Sequence, residues 1–468
     1  MPLTLLFNQL LSVCAVPEMW KTAIITPVFK KGAAGLVSNY RPISLTSVPS
    51  KLLERIISNK LVEHLNENKI LHPAQHGFFK NRSTCINLLE CLNDWTLYLQ
   101  SGHGTVVIYI DYSKAFDVVS HPKLFARLHS YGVNDNLLQW LRNFFTGRTH
   151  RTKVGAFLSD LADLVSGIIQ GSGIGPTMFI IFINELVCIL EEHGIQVKLF
   201  ADDSKMYAKI IDGYDVVRLQ AALDTLSQWA EQWQLLISID KGCVLHIGKV
   251  CLDTCFQING NVLPIVKRCR DLGVTISHNL QSSEHTNLVA AKAHQRANAI
   301  LRCFVSRDTN LLLRAFIVYV RPLVEYNSVT WSPYLKQDIE AIERVQRCFT
   351  KRLPGLNKCS YSDRLARLGL PSLELRRLQN DLVWCYKILF GYVDLCADDF
   401  FESRLSYTRG HNFKLYKKRN SNIVRANFFT ERIVNVWNRL PIEIVNFNKN
   451  YLSKFKQTVK LVDLLKCF

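Results

Sequence analysis

The chain has 468 residues, 48% of them hydrophobic, and carries 57 Lys plus Arg against 39 Asp plus Glu, a net charge of +18. That cation surplus points to a polyanionic partner, either nucleic acid or an anionic membrane surface. No uncharged apolar run reaches the ~18 residues of a membrane-spanning helix, so the membrane is set aside and nucleic acid is kept.

The elements follow in chain order. The opening "MPLTLLFNQLLSVCAVPEMWK" has no basic residues ahead of its apolar stretch, which reads as the end of a buried helix rather than a signal peptide. A start inside core suggests the tail of something longer. In "SKLLERIISNKLVEHL", Leu52, Leu53, Ile56, Ile57, Leu61 and Leu65 fall at helical spacing. "GTVVIYID" is a short β-branched run opened by Gly104, a buried strand ending at Asp111. "GPTMFIIFINELVCILEEHG" reads as a helix with Pro176 near its start and Gly194 at its end. "VKLFADDSKMYAKI" reads as a hairpin turning at Asp202–Asp203, and "LQAALDTLSQWAEQW" as a helix with Leu219, Ala222, Leu223, Leu226, Trp229, Ala230 and Trp233 on one face. The fold class is α+β, a small sheet with helices on one side.

From about Asn287 the chain becomes mainly helical and more basic, with a break at Pro371 and clusters such as "KLYKKRN" near its end. Those cations are either a solvated face or a phosphate-tracking surface, and a carboxylate site beside them favours the second. Arg314, Arg321, Arg376, Arg377, Lys417 and Lys418 are the candidates. The 14 cysteines contain no C-x-x-C, and Cys243, Cys251, Cys255 and Cys269 have no matching His pair. They read as small buried residues of a reducing, intracellular compartment.

Two adjacent carboxylates at a tight turn repel unless a cation lies beside them, whether water-borne, a basic side chain or a metal. Asp111 also ends an apolar strand, and if the two strands are neighbours it meets Asp202 and Asp203 at one point. Such an all-oxygen cluster suits Mg²⁺, and two such ions clamp the attacking and leaving oxygens of an in-line phosphoryl displacement. No nucleophilic side chain is needed when a primer hydroxyl attacks.

In order, the chain reads "PEMWKTAIITPVFKKG", "NYRPISL", "QHGFFKNRST", "YIDYSKAFDVVSHPKL", "QGSGIGPTMFIIFINEL", "LFADDSKMY", "DLGVTI", "YVRPLVEYNSVTWSP", "ERVQRC", "RLARLGLPSLELRR" and "FFTERIVNVWNRLP". This set resembles the reverse transcriptases of non-LTR (LINE-type) retrotransposons, nearest the jockey-like and Rex-like clades. The resemblance implies a right-hand polymerase, with fingers and palm over 1–277, a helical thumb over 278–350 and a basic C-terminal region over 351–468. It implies RNA-directed DNA synthesis with two Mg²⁺ ions, or Mn²⁺ in their place, on Asp111, Asp202 and Asp203. Its implied partners are an RNA template, a DNA primer and dNTPs, within a ribonucleoprotein of the element's own RNA in cytoplasm and nucleus.

Residue by residue, Phe116 matches the gate that excludes a 2′-hydroxyl, and Asp117 is read as holding the turn. Arg41, with Lys30 and Lys31, matches the fingers segment that grips the triphosphate. Arg82 would approach the template backbone, and Gln170–Gly171 the template base and nucleotide. Lys241 would lie near the pyrophosphate as a proton donor or a neutralising charge, and Asp271, Leu272 and Gly273 in the hairpin that grips the primer end. Ile169 and Gly173 depart from the family pattern, and Gly173 is expected to loosen its turn. No upstream endonuclease or downstream zinc knuckle is read, which suggests a fragment or truncated copy. The rival readings are an idle nucleic-acid-binding remnant and, far behind, a two-metal nuclease.

Overall fold

The computed structural model describes residues 2–250, 255–404, 411–445 and 451–461. Helix α1 (Pro2–Ser12) buries only one face, through Phe7 and Leu10, while Leu3 and Leu5 stay exposed. Strands β1 (Thr22–Phe29) and β2 (Tyr40–Leu45) pair antiparallel, with Val28 opposite Arg41. Helix α2 (Val48–Glu67) buries Leu53, Ile57, Leu61 and Leu65 and leaves Leu52 and Ile56 outside, as a single apolar stripe requires. Helix α3 (Thr84–Gln100) starts on Ser83, whose side chain accepts from the Ile86 N–H.

Strand β3 (Gly104–Ile110) is the central strand of a five-stranded sheet. Strand β4 (Arg148–Val154) pairs with β1 in parallel, forming a second sheet with β1 and β2. Helix α4 (Gly175–Glu191) is followed by the hairpin β5 (Gln196–Phe200) and β6 (Asp203–Ile210). Helix α5 (Gly213–Trp233) opens with a capping box between Asp212 and Asp215. Strands β7 (Cys243–Ile247) and β8 (Ile265–Val266) complete a sheet of order β8-β7-β3-β6-β5. A hairpin of β9 (Arg268–Asp271) and β10 (Val274–Ser277) follows, turning through Leu272 and Gly273 at φ 44° and 88°.

The sheet is covered on both faces, not one. Val106, Ile108, Ile110, Met206 and Val244 pack into a core with α2, α4 and α5. Val107, Tyr207, Leu245 and Ile247 pack into a second core with Trp95 and Leu88 of α3. An unbroken apolar run such as "VVIYI" is what a strand buried on both faces needs.

The second core continues through α6 (Ser283–Cys303), α7 (Thr309–Tyr319), α8 (Lys336–Lys351), α9 (Leu373–Leu389) and α10 (Leu452–Leu461). Gly369 ends the helix before α9 in the left-handed region, and Ser372 caps α9, so the break falls at Pro371. Residues beyond 350 therefore share one core with α3 and the sheet it covers, and Arg425 donates to Asn93 and Thr96 of α3. No helix among the described residues is long and apolar enough to cross a membrane. The cysteines are not uniformly buried: Cys85, Cys91 and Cys385 are, but Cys188, Cys255, Cys303, Cys348 and Cys396 are exposed. Cys251 lies outside the described residues.

Candidate active site

Strands β3 and β6 pair antiparallel with Ile110 opposite Ser204. The residue after Ile110 is Asp111 and the residue before Ser204 is Asp203, so this register alone sets the two carboxylates side by side. Phe200 pairs with Asp203, leaving Ala201 and Asp202 as the hairpin turn. Ala201 has φ 57°, the left-handed value that a two-residue hairpin loop favours and a Cβ resists. Gln75 stabilises it, accepting from the Ala201 N–H at 3.0 Å and donating to its carbonyl at 3.4 Å. Gly77 lies against the same turn, where a Cβ would stand 2.4 Å from the Ala201 nitrogen. Residues 74–76 run beside β5, bonded to both backbone groups of Leu199.

The electrostatics show that these carboxylates sense one another. Asp202 is pushed above the ordinary carboxylate range mainly by burial, with Asp111 adding repulsion and Lys30 and Arg41 pulling back. Asp203 is pushed up to about 6 by burial, then by Asp202 and Asp111. Lys241 donates to Asp111 Oδ1 at 2.8 Å. The cation beside the cluster is thus a basic side chain. Among the described residues no three His, Cys, Asp or Glu side chains close on a common metal position, and Lys241 already occupies one oxygen of Asp111. The donor set still fits a hard divalent cation, with oxygen-only ligands and negative charge that burial leaves under-neutralised.

The fingers reach this edge through a stitched turn. Gln170 Nε2 donates to Asp117 Oδ1 at 2.7 Å, and the Gln170 carbonyl accepts from the Ser44 N–H of β2 at 2.7 Å. Gly171, at φ 108°, lies so close to Ser44 that a Cβ would stand 2.6 Å from its carbonyl oxygen. Arg41 lies three residues earlier on β2, exposed, and its side chain has no ion pair or hydrogen bond among the described residues. Phe116 is half-buried, its ring stacked on Phe179 of α4 at 4.4 Å.

The family described as "Reverse transcriptase (RNA-dependent DNA polymerase)" matches residues 28–276. The chain belongs to this family. The fold is accordingly that of a right-hand polymerase with a mainly helical C-terminal region. The chain is 28% identical over 298 residues to the "RNA-directed DNA polymerase from mobile element jockey" of Drosophila melanogaster, covering 62% of this chain and 32% of that protein. It is 26% identical over 379 residues to the "Probable RNA-directed DNA polymerase from transposon BS" of the same species, covering 77% of this chain and 41% of that protein. The resemblance to jockey-like non-LTR elements is borne out, and the chain spans only a third to two fifths of those relatives. A Candida tropicalis telomerase structure aligns at a TM-score of 0.44 and 11% identity over 81% of this chain and 59% of that one, a distant likeness. Reverse transcriptases use divalent metal ions.

Several of the candidate residues make intramolecular contacts that the sequence did not suggest. Arg82, expected to approach the template backbone, has its donors engaged within the chain. It pairs with Asp394 at 2.6 Å and donates to the carbonyls of Pro73 and Gln75, so its donors staple the segment that steadies Ala201. Asp271 is buried and paired with Lys205 of β6 at 2.5 Å, which anchors the β9–β10 hairpin. The Leu272 carbonyl accepts from the Tyr326 hydroxyl at 3.0 Å, and a Cβ on Gly273 would stand 3.0 Å from that ring. Gly173 tightens its turn instead of loosening it: a Cβ there would lie 3.1 Å from the Lys51 carbonyl oxygen. Arg321 and Arg376 both pair with Glu325, Lys418 pairs with Glu402, and Arg377 is buried. Arg314 and Lys417 remain exposed.

Sequence reasoning missed Gln75, Gly77, Lys205, Tyr326 and Glu54. Glu54 is fully buried and accepts from the Gly173 and Ile174 N–H groups where α4 begins, a carboxylate at a helix N-terminus. Its position on the buried stripe of α2, four residues before Ser58 and seven before Leu61, was the available clue.

Proposed function

We propose that the chain is an RNA-directed DNA polymerase that joins dNTPs to a primer 3′-hydroxyl. One observation carries this: the β3–β6 register brings Asp111 beside Asp203 at a sheet edge that also holds Asp202 and feels Lys30 and Arg41 of the fingers. Asp111 and Asp202, with Asp203 flanking, would hold two Mg²⁺ ions, or Mn²⁺ in their place, which supply charge neutralisation and a lowered proton affinity at the attacking hydroxyl. Arg41 grips triphosphate oxygens, and the Gln170–Gly171 backbone lies against the nascent pair. Phe116, fixed by Phe179, excludes a 2′-hydroxyl. Lys241 neutralises Asp111 at rest and donates a proton at the departing pyrophosphate during turnover.

In this reading, residues 1–277 are fingers and palm, 278–350 thumb, and 351–468 a basic extension braced on the palm. RNA template and DNA primer are the partners, with the element's own RNA in a ribonucleoprotein of cytoplasm and nucleus. The test is primer extension on poly(rA)/oligo(dT) with Mg²⁺. Asp202→Ala is expected to lower synthesis by ~10³-fold or more, since metal-type charge stabilisation supplies several kcal/mol. Template binding should persist, because it rests on many phosphate contacts. Phe116→Val should admit ribonucleotides. Intact template binding with no synthesis by the parent chain would instead favour an idle nucleic-acid-binding remnant.

A further inference from the structure

Two thiols stand behind the candidate active site without a part in its chemistry. Cys243 opens β7 and pairs with Tyr109 of β3, two residues after the Lys241 that holds Asp111. Cys269 lies on β9, two residues before Asp271, and borders the cleft lined by Asp111, Asp203, Lys241 and Leu272. Their sulfurs are 3.6 Å apart, both cysteines are free, and both are only partly buried. A change of side-chain torsion brings such a pair to the ~2.05 Å of a disulfide. The next strands hold the parts on either side: β7 the loop carrying Lys241, β9 the hairpin tip at Leu272–Gly273.

We propose that Cys243 and Cys269 form an oxidation site, at which a peroxide converts the thiol pair into a disulfide that ties the β9–β10 hairpin to the palm sheet and slows primer extension. The two sulfurs share a hydrogen-bonded proton, so either thiol can be the first to ionise and attack. With Cys243 first, its thiolate attacks one peroxide oxygen, giving a sulfenic acid and releasing hydroxide, which takes up a proton to leave as water. The Cys269 sulfur then attacks the sulfenic sulfur; the S–S bond forms, the S–O bond breaks, and the oxygen leaves as a second water. Two thiols lose two electrons and two protons, and one hydrogen peroxide becomes two waters. Among the described residues no other pair of sulfurs is in such contact.

The hairpin is the part such a link would restrain. Tyr326 and the Lys205–Asp271 pair already hold its two sides by non-covalent contacts that can give as a duplex advances. A disulfide at Cys269 removes that give. The effect on synthesis rests on the polymerase reading, whereas the disulfide itself does not.

The test treats the full chain with limiting hydrogen peroxide, then maps disulfides by peptide mass spectrometry and measures extension before and after dithiothreitol. The expected result is a Cys243–Cys269 cross-link in monomeric protein, with a several-fold fall in extension that dithiothreitol reverses. Cys243→Ser and Cys269→Ser should keep the parent's extension and lose its reversible sensitivity. Mapping that finds both thiols free, or joined elsewhere, while other cysteines oxidise would overturn the site, even in a chain that extends no primer. A mapped Cys243–Cys269 link that leaves extension unchanged would overturn the proposed effect on the hairpin.

Discussion

The cations of the fingers and those of the C-terminal half come from one basic composition and are used in opposite ways. Arg41 and Lys30 are exposed, lack ion partners among the described residues, and project their field onto Asp202. Beyond residue 320, Arg321, Arg376, Arg425 and Arg432 face Glu or Asp within 4 Å, and Arg377 is buried. A charge count therefore overstates a binding surface. A guanidinium already held by a buried carboxylate stabilises the fold, and only an unpaired one is available to a phosphate.

Four variants, one of them a double replacement, sharpen or break that contrast. The largest effect is expected at Arg432, which grips the fully buried Asp381 through two donors at 2.8 and 3.0 Å. Arg432→Ala leaves that carboxylate unpaired and should cost about 3–5 kcal/mol of stability, read as a lowered Tm, with the salt dependence of template binding unchanged. Arg41→Ala should do the reverse. Its Tm should match the parent's, while the dNTP concentration needed for half-maximal extension rises roughly 10- to 100-fold, the worth of a charged hydrogen bond. A lowered Tm there would mean that Arg41 is structural.

Arg314 and Lys417 are exposed cations of the C-terminal half without an ion pair among the described residues. Replacing both by Ala should flatten the log–log salt slope of template–primer binding by about 0.9 for each phosphate released on duplex DNA. An unchanged slope would extend the structural role to the whole C-terminal half.

The smallest effect concerns the carboxylates that receive the fingers' field. Asp203, raised to about 6, keeps its proton in the folded chain to a higher pH than in the unfolded chain, where it ionises near ~3.9. The unfolded state therefore binds fewer protons between these values, and stability falls as pH climbs from about 4 to about 6, then levels. Asp203→Asn removes that decline. The variant should match the parent near pH 4 and exceed it at pH 7 by about 1 kcal/mol or less, because the side chain reaches solvent. Thermal melts across pH would show it, and Mg²⁺ should raise the parent's Tm more than the variant's.

The legible parts of the site were those written in local pattern. An apolar strand ending in Asp111 and a hairpin turning at Asp202–Asp203 follow from strand periodicity and turn chemistry, and the helices from their stripes and caps. The order of motifs carried the family. Sequence periodicity also suggested one covered face where there are two, because a run such as "VVIYI" shows that a strand is buried without saying by what.

By itself, then, the sequence determined which residues could be ligands and which segments could be strands, since both depend on neighbours a few positions away. Only the tertiary structure decided which charges are free. Arg82 finds Asp394 at a separation of 312 residues, Lys205 finds Asp271 at 66, and Lys241 finds Asp111 at 130. Each long charged side chain pairs with whatever carboxylate the fold brings within reach. That reach is set by packing across the whole chain, which no local pattern encodes.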